Sequence, residues 1–195
     1  GFEDLGQAPG ILRFFEEHIA PYPYPKLANV QSATRYGGME NASAIFYSEE
    51  AVADGRDSEE LLAHEIAHQW YGNTVTEADW PHLWLSEGFA TYLTGLWLED
   101  TYGKERLRQY MRRARDRVRT FARQRPDEPL VDTTYASPME LLNPNAYQKG
   151  AWVLHMLRQE IGTETFWTAL RQYYDRYRHA NASTADFRTV VEDVS

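Results

Sequence analysis

The sequence predicts an α+β fold, with a small β-sheet near the N-terminus and helices through the rest of the chain. Three observations predict it. Residues 26–52 are rich in alternating, β-branched and aromatic side chains, broken by Gly37 and Gly38, which is the pattern of short strands. From residue 57 onward apolar residues recur at helical spacing between clear stop signals. The 195 residues, 43% hydrophobic and 14% aromatic, suffice to bury one sizeable core.

The elements follow in order. Residues 8–20 carry Ile11, Leu12, Phe15 and Ile19 on one helical face, and the PYPYPK that follows stops the helix because proline cannot continue it. The sheet region comes next, through LANVQSAT and SAIFYSE to Val52. Asp57 and Ser58 can cap a helix over 58–71, Glu59 and Glu60 suit its positive end, and Gly72-Asn73 can end it. Further helices are expected over 86–102, stopped by Gly103, then to about 125 before Pro126 and Pro129, over 146–161, over 163–177 and over 183–194. The chain reads as one domain, 1–195, with approximate sub-lobes 1–56 and 57–195.

Composition excludes several classes. No run approaches the roughly 18 apolar residues of a membrane span. The N-terminus lacks both the basic segment and the apolar core of a signal peptide, and its missing initiator Met suggests a piece of a longer chain. With no cysteine there is no disulfide or thiolate chemistry, so a bound metal would need imidazole and carboxylate ligands. A net charge of −9 argues against general nucleic-acid binding. Residues 104–125 nevertheless hold ten basic groups and two acids. A solvated face explains that stretch best, with docking against another domain as the second reading.

The stretch HEIAH, within SEELLAHEIAHQWYGN, carries the chemistry. Four residues apart on a helix, His64 and His68 point the same way with Cβ atoms roughly 5–6 Å apart, so one ion can bridge them. Glu65 lies about 100° round, able to reach a water beside that ion without coordinating it. Alone, the pattern also suits two ordinary helix residues. A catalytic zinc takes three protein ligands and keeps one position open. Glu87, opening the next helix, can complete the set, although the helix dipole alone also favours a glutamate there.

HEIAHQWYGN followed by WLSEGFATYL resembles the gluzincin aminopeptidases related to aminopeptidase N and leukotriene hydrolase. GGMEN, comprising Gly37, Gly38, Met39, Glu40 and Asn41, is similar to that family's exopeptidase signature. Tyr147-Gln148-Lys149-Gly150-Ala151 resembles its catalytic tyrosine segment. The resemblance implies a thermolysin-like catalytic domain holding one zinc ion on His64, His68 and Glu87. It makes Glu65 the general base, Tyr147 the donor to the oxyanion, and residues 37–41 the substrate-binding segment, with Glu40 pairing with a free α-ammonium. The implied substrate is a peptide with a free N-terminus. The implied partners are a β-rich domain before this one and a helical domain after it. Ser86 departs from the Asn common in relatives. The alternatives are an endopeptidase of thermolysin type, or a folded zinc-binding module with little activity without its neighbours.

Overall fold

The computed structural model describes residues 4–54 and 58–195, so the Asp57 cap lies outside the described residues. Helix α1 (Ala8–His18) carries Pro9 in its first turn and buries Ile11, Phe14 and Phe15. Phe15 meets Trp70 edge-on at 5.7 Å, and Phe14 meets Trp97 at 5.7 Å and Trp167 at 6.2 Å. The first helix thereby joins the same core as the later ones.

Three strands follow, β1 (Ala28–Ser32), β2 (Gly38–Met39) and β3 (Ala44–Ser48), in the order β1-β3-β2. Central β3 runs parallel to β1, with Ala28 opposite Ala44, and antiparallel to β2, with Met39 opposite Phe46. Strand β2 is therefore an edge. The sheet stops at Ser48 rather than reaching Val52, and Glu49–Asp54 is a helix, α2. The reason is local: the Ser48 hydroxyl accepts the Ala51 N–H at 3.1 Å, an N-cap, and two glutamates sit at the positive end of the helix dipole.

Helix α3 (Ser58–Ala67) is shorter than the expected 58–71. Past Ala67 the bonds tighten, with Gln69 N–H donating to Ile66 O and Trp70 N–H to Ala67 O, both at 3.1 Å. The Thr74 hydroxyl then takes the Gln69 carbonyl at 2.7 Å. His68 consequently sits in the turn that closes the helix. Helix α4 (Trp84–Tyr102) is buried continuously from Trp84 to Leu98 and forms the centre of the helical part, and Gly103 ends it at φ 85°. Around it lie α5 (Lys104–Gln124), α6 (Gly150–Ile161), α7 (Thr163–Tyr177) and α8 (Thr184–Val194), the last opened by a Ser183/Asp186 capping box.

Two features depart from expectation. β4 (Val75–Glu77) pairs in parallel with β5 (Ala180–Ala182), a sheet built from segments about a hundred residues apart that carry no strand signature. The expected helix over 146–161 opens instead as a wider π turn, Asn145–Lys149, in which Lys149 N–H reaches back five residues to Pro144 O at 2.9 Å. Buried Asn145 fixes that turn by donating to the carbonyls of Glu128 at 2.9 Å and Pro129 at 3.2 Å.

Helices α4 and α6 cross at two glycines. A Cβ on Gly88 would stand 2.9 Å from the Gly150 Cα, and one on Gly150 would stand 3.0 Å from the Gly88 Cα. Both obstructions are backbone, so neither can swing aside. Gly88→Ala should therefore cost about 1–3 kcal/mol by overpacking, read as a lowered urea midpoint at constant slope. A midpoint equal to the parent's would remove the close-approach argument.

Candidate metal centre

Three side chains converge where α3 ends and α4 begins. His64 Nε2 and His68 Nε2 stand 3.1 Å apart, and Glu87 Oε2 lies 3.2 Å from the first and 3.3 Å from the second. Ligands about 2.0–2.1 Å from a tetrahedral zinc stand roughly 3.3–3.4 Å from one another. The spacing fits that ion. Among the described residues these form the one group of histidines and carboxylates arranged to hold a metal.

The surroundings orient the rings. His68 Nδ1 is 3.1 Å from the Tyr71 carbonyl, a bond only an N–H can make, which leaves Nε2 facing His64 and Glu87 as the atom that can bind a metal once it has lost its proton. Gly72 makes room for this. Its φ of 126° suits glycine, and a Cβ there would stand 2.8 Å from His68 Nδ1. Burial disfavours a charged His68, but the Glu87 carboxylate outweighs it and raises its pKa to about 10. Burial also works against an ionised Glu87, yet the charge of His68 and hydrogen bonds from both rings hold it well below the usual carboxylate range. The cluster is thus an ion pair that a divalent cation can replace.

Glu65 is 5% exposed and lies against β2, outside the group of three ligand atoms. A Cβ on Gly38 would run into its carboxyl group and lie 2.7 Å from its Cγ, so the glycine backbone lies directly against the acid. Burial lifts the Glu65 pKa to about 7, opposed by His64 and His68 and assisted by Glu40 and Glu87. The Tyr147 ring stacks over His64 with centroids 6.0 Å apart and an interplanar angle of 15°. Burial first, and the nearby Glu87 second, raise its phenol pKa well above the ordinary value, so it stays protonated.

These groups line one cleft of about 670 Å³, together with Gly37, Gly38, Met39 and Glu40. Asn41 is not brought there; it is exposed, and its carbonyl closes a turn by accepting Ala44 N–H at 3.0 Å. Sequence reasoning missed the clamp on Glu40, whose carbonyl accepts from Gln69 Nε2 at 2.9 Å and from Asn73 Nδ2 at 2.5 Å. The one available signal was two amides, Gln69 and Asn73, just after the histidine pair in AHQWYGN. Ser86, the departure from the family pattern, donates to Glu77 at 2.6 Å. Three of the four remaining histidines hold structure: His18 meets the Phe14 carbonyl, His82 the Thr184 hydroxyl, and His155 the Tyr92 hydroxyl, while His179 is exposed.

The model of the Peptidase family M1 domain matches residues 3–195. The chain belongs to the M1 peptidase family. Among relatives of this M1 domain, rice aminopeptidase M1-C is 34% identical over 94% of the chain, and rat endoplasmic reticulum aminopeptidase 1 is 30% identical over 93%. The chain spans 22% and 21% of their lengths, about a fifth. A mutant M1 zinc metallopeptidase from Deinococcus radiodurans, bound to a Tyr-Ser-Ala substrate, superposes with a TM-score of 0.79 at 30% identity. It matches over 97% of this chain and 40% of its own. Yeast LTA4 hydrolase in complex with bestatin gives 0.89 at 22% identity, covering 98% of this chain and 33% of its own, which shows the shared M1 fold. No described helix is long and apolar enough to cross a membrane.

Proposed function

We propose that the chain is the catalytic domain, 1–195, of a zinc aminopeptidase that removes the N-terminal residue of peptides, working beside further domains of a longer protein. The observation that carries this reading is the convergence of His64, His68 and Glu87 at zinc spacing with two further carboxylates, Glu65 and Glu40, in the same cleft. The three residues would hold the ion, which when bound supplies Lewis acidity at the scissile bond.

Each remaining group has its own task. Glu65 accepts a proton from the attacking water and passes it to the leaving amine, and a pKa near the working pH suits both transfers. Tyr147, kept protonated, donates its O–H to the oxyanion of the tetrahedral intermediate. Tyr147→Phe should retain zinc and lose ~10²–10³ in kcat. Loss of zinc in parallel would reassign the residue to holding the site together.

Glu40 makes the enzyme an exopeptidase. Its carboxylate, just past edge strand β2 and with its backbone held by Gln69 and Asn73 in the turn after α3, pairs with the substrate α-ammonium while Gly37 and Gly38 let the peptide backbone approach β2. A hydrogen bond to a charged group contributes about 1.5–3 kcal/mol. Glu40→Ala should therefore lower kcat/KM for amino-acid amides by ~10–100-fold, and by much less for N-acetylated peptides. Equal losses on both substrate classes would remove the amine anchor and favour an endopeptidase.

A further inference from the structure

The cleft has a direction, set by α3. Strand β2 runs beside that helix: a Cβ on Gly37 would touch Leu61 at 3.8 Å, Gly38 lies against Glu65, and the Glu40 carbonyl takes bonds from Gln69 and Asn73. Glu40 thus marks the C-terminal end of α3. Glu60, nine residues before Gln69, marks the other end, roughly 13 Å away along the axis. Helix α4 runs antiparallel, since Glu87 meets His68 while Trp97 Nε1 donates to Glu59 at 2.9 Å. A peptide whose amine sits at Glu40 therefore passes the ligand cluster and continues toward Glu60.

Between the ligand cluster and that end the cleft has unmet chemistry. Thr91 lies one helical turn beyond Glu87, on the same face, and is 3% exposed. Its hydroxyl is the one buried side-chain polar atom without a hydrogen-bond partner among the described residues, and it lines the cleft. Thr94, by contrast, donates back to the Ala90 carbonyl at 2.8 Å. The cations at the far end come from α5. The Glu60 carboxylate is shared by Arg106 at 2.7 Å and Arg113 at 2.5 Å. Arg117, one turn past Arg113 and also lining the cleft, has no carboxylate partner among the described residues. Arg117 thus brings a guanidinium to the same cleft as a buried hydroxyl that has no partner among the described residues.

We propose that Thr91 and Arg117 form a carboxylate-binding subsite on the leaving-group side, which selects peptides carrying a carboxylate on the residue after the cleaved bond. The inference rests on the aminopeptidase reading, because Glu40 decides which end of the peptide reaches it. A hydroxyl donor and a guanidinium both suit an acceptor-only group. Two sources supply it: the C-terminus of a dipeptide, or an acidic side chain.

The test is equilibrium binding, by calorimetry, to the full chain loaded with zinc and carrying Glu65→Gln so that peptides are not cut. The probes are Leu-Ala, Leu-Ala amide, Leu-Glu amide, Leu-Gln amide and N-acetyl-Leu-Ala. Leu-Ala should bind about tenfold tighter than its amide if the terminus is read, and Leu-Glu amide about tenfold tighter than Leu-Gln amide if the side chain is. Arg117→Gln should shrink the difference and weaken its salt dependence, and adding Thr91→Val should erase it. Equal binding of acids and amides, or a difference that survives both substitutions, overturns the subsite. If N-acetylation costs Leu-Ala nothing, the amine anchor is wrong and the subsite falls with it; tight but carboxylate-blind binding overturns the subsite alone.

Discussion

Glu65→Gln should leave zinc content at the parent's level while turnover falls by ~10²–10⁴, the range for removing a positioned general base. The two effects separate because the Glu65 carboxyl lies against Gly38 through Oε1, while the ligand atoms of His64, His68 and Glu87 face one another. Glutamine keeps the volume and can still fill the buried space against the glycine backbone. It cannot take a proton from water at neutral pH. Fold stability should hold or improve slightly, since a buried acid whose pKa burial has pushed to about 7 is replaced by a neutral amide. Metal analysis beside a free aminoacyl reporter decides the matter. Should zinc and activity decline together, Glu65 belongs to the binding set and proton transfer must be sought elsewhere.

What the sequence disclosed, and what it withheld, divides along the range of the interactions. The pairing of His64 and His68 is a consequence of helical periodicity, local enough to read from five residues. The caps that end α4 at Gly103 and open α8 at Ser183 were equally local. The short helix α2 was hidden because its apolar run continues the strand pattern, although Ser48 followed by two glutamates is an N-cap signature that could have divided them. Glu87 was a candidate on spacing, and the M1 resemblance, rather than any property of the residue, singled it out. The rest depends on segments that meet only in three dimensions. Pairing of Val75 with Ala180 and the backbone contact of Gly88 with Gly150 leave no periodic trace. Neither do the grip of Gln69 and Asn73 on Glu40 nor the unpartnered hydroxyl of Thr91.

The same divide explains the arginine-rich segment. Leu107, Met111 and Ala114 give α5 an ordinary buried stripe, and much of its charge is solvated. Arg106 and Arg113, however, turn to Glu60 at the cleft wall. Composition recorded the excess of charge but could not say which arginines face the site.

Replacing Glu87 with Gln should abolish stoichiometric zinc binding and, with it, the thermal stabilisation that zinc gives the parent. Zinc present at a hundredfold excess over its dissociation constant stabilises the folded state by about 2.7 kcal/mol, so the parent's melting temperature should rise on adding the ion and the variant's should not. The proton balance supplies a second signature. In the ion-free protein Glu87 raises the His68 pKa to about 10, so between pH 7 and 9 the ring must shed its proton before the nitrogen can bind a cation. Each proton displaced makes apparent zinc affinity climb about tenfold per pH unit, and the sign is fixed: affinity increases with pH and is lost as pH falls. Glu87→Gln removes the carboxylate that held the proton, so the buried ring should become neutral near pH 7 and release little acid when zinc is added. Titration in weak buffer reads that release directly. A parent that binds zinc without acidifying the solution would mean that His68 is already neutral, and that the ion pair between α3 and α4 is not what the metal displaces.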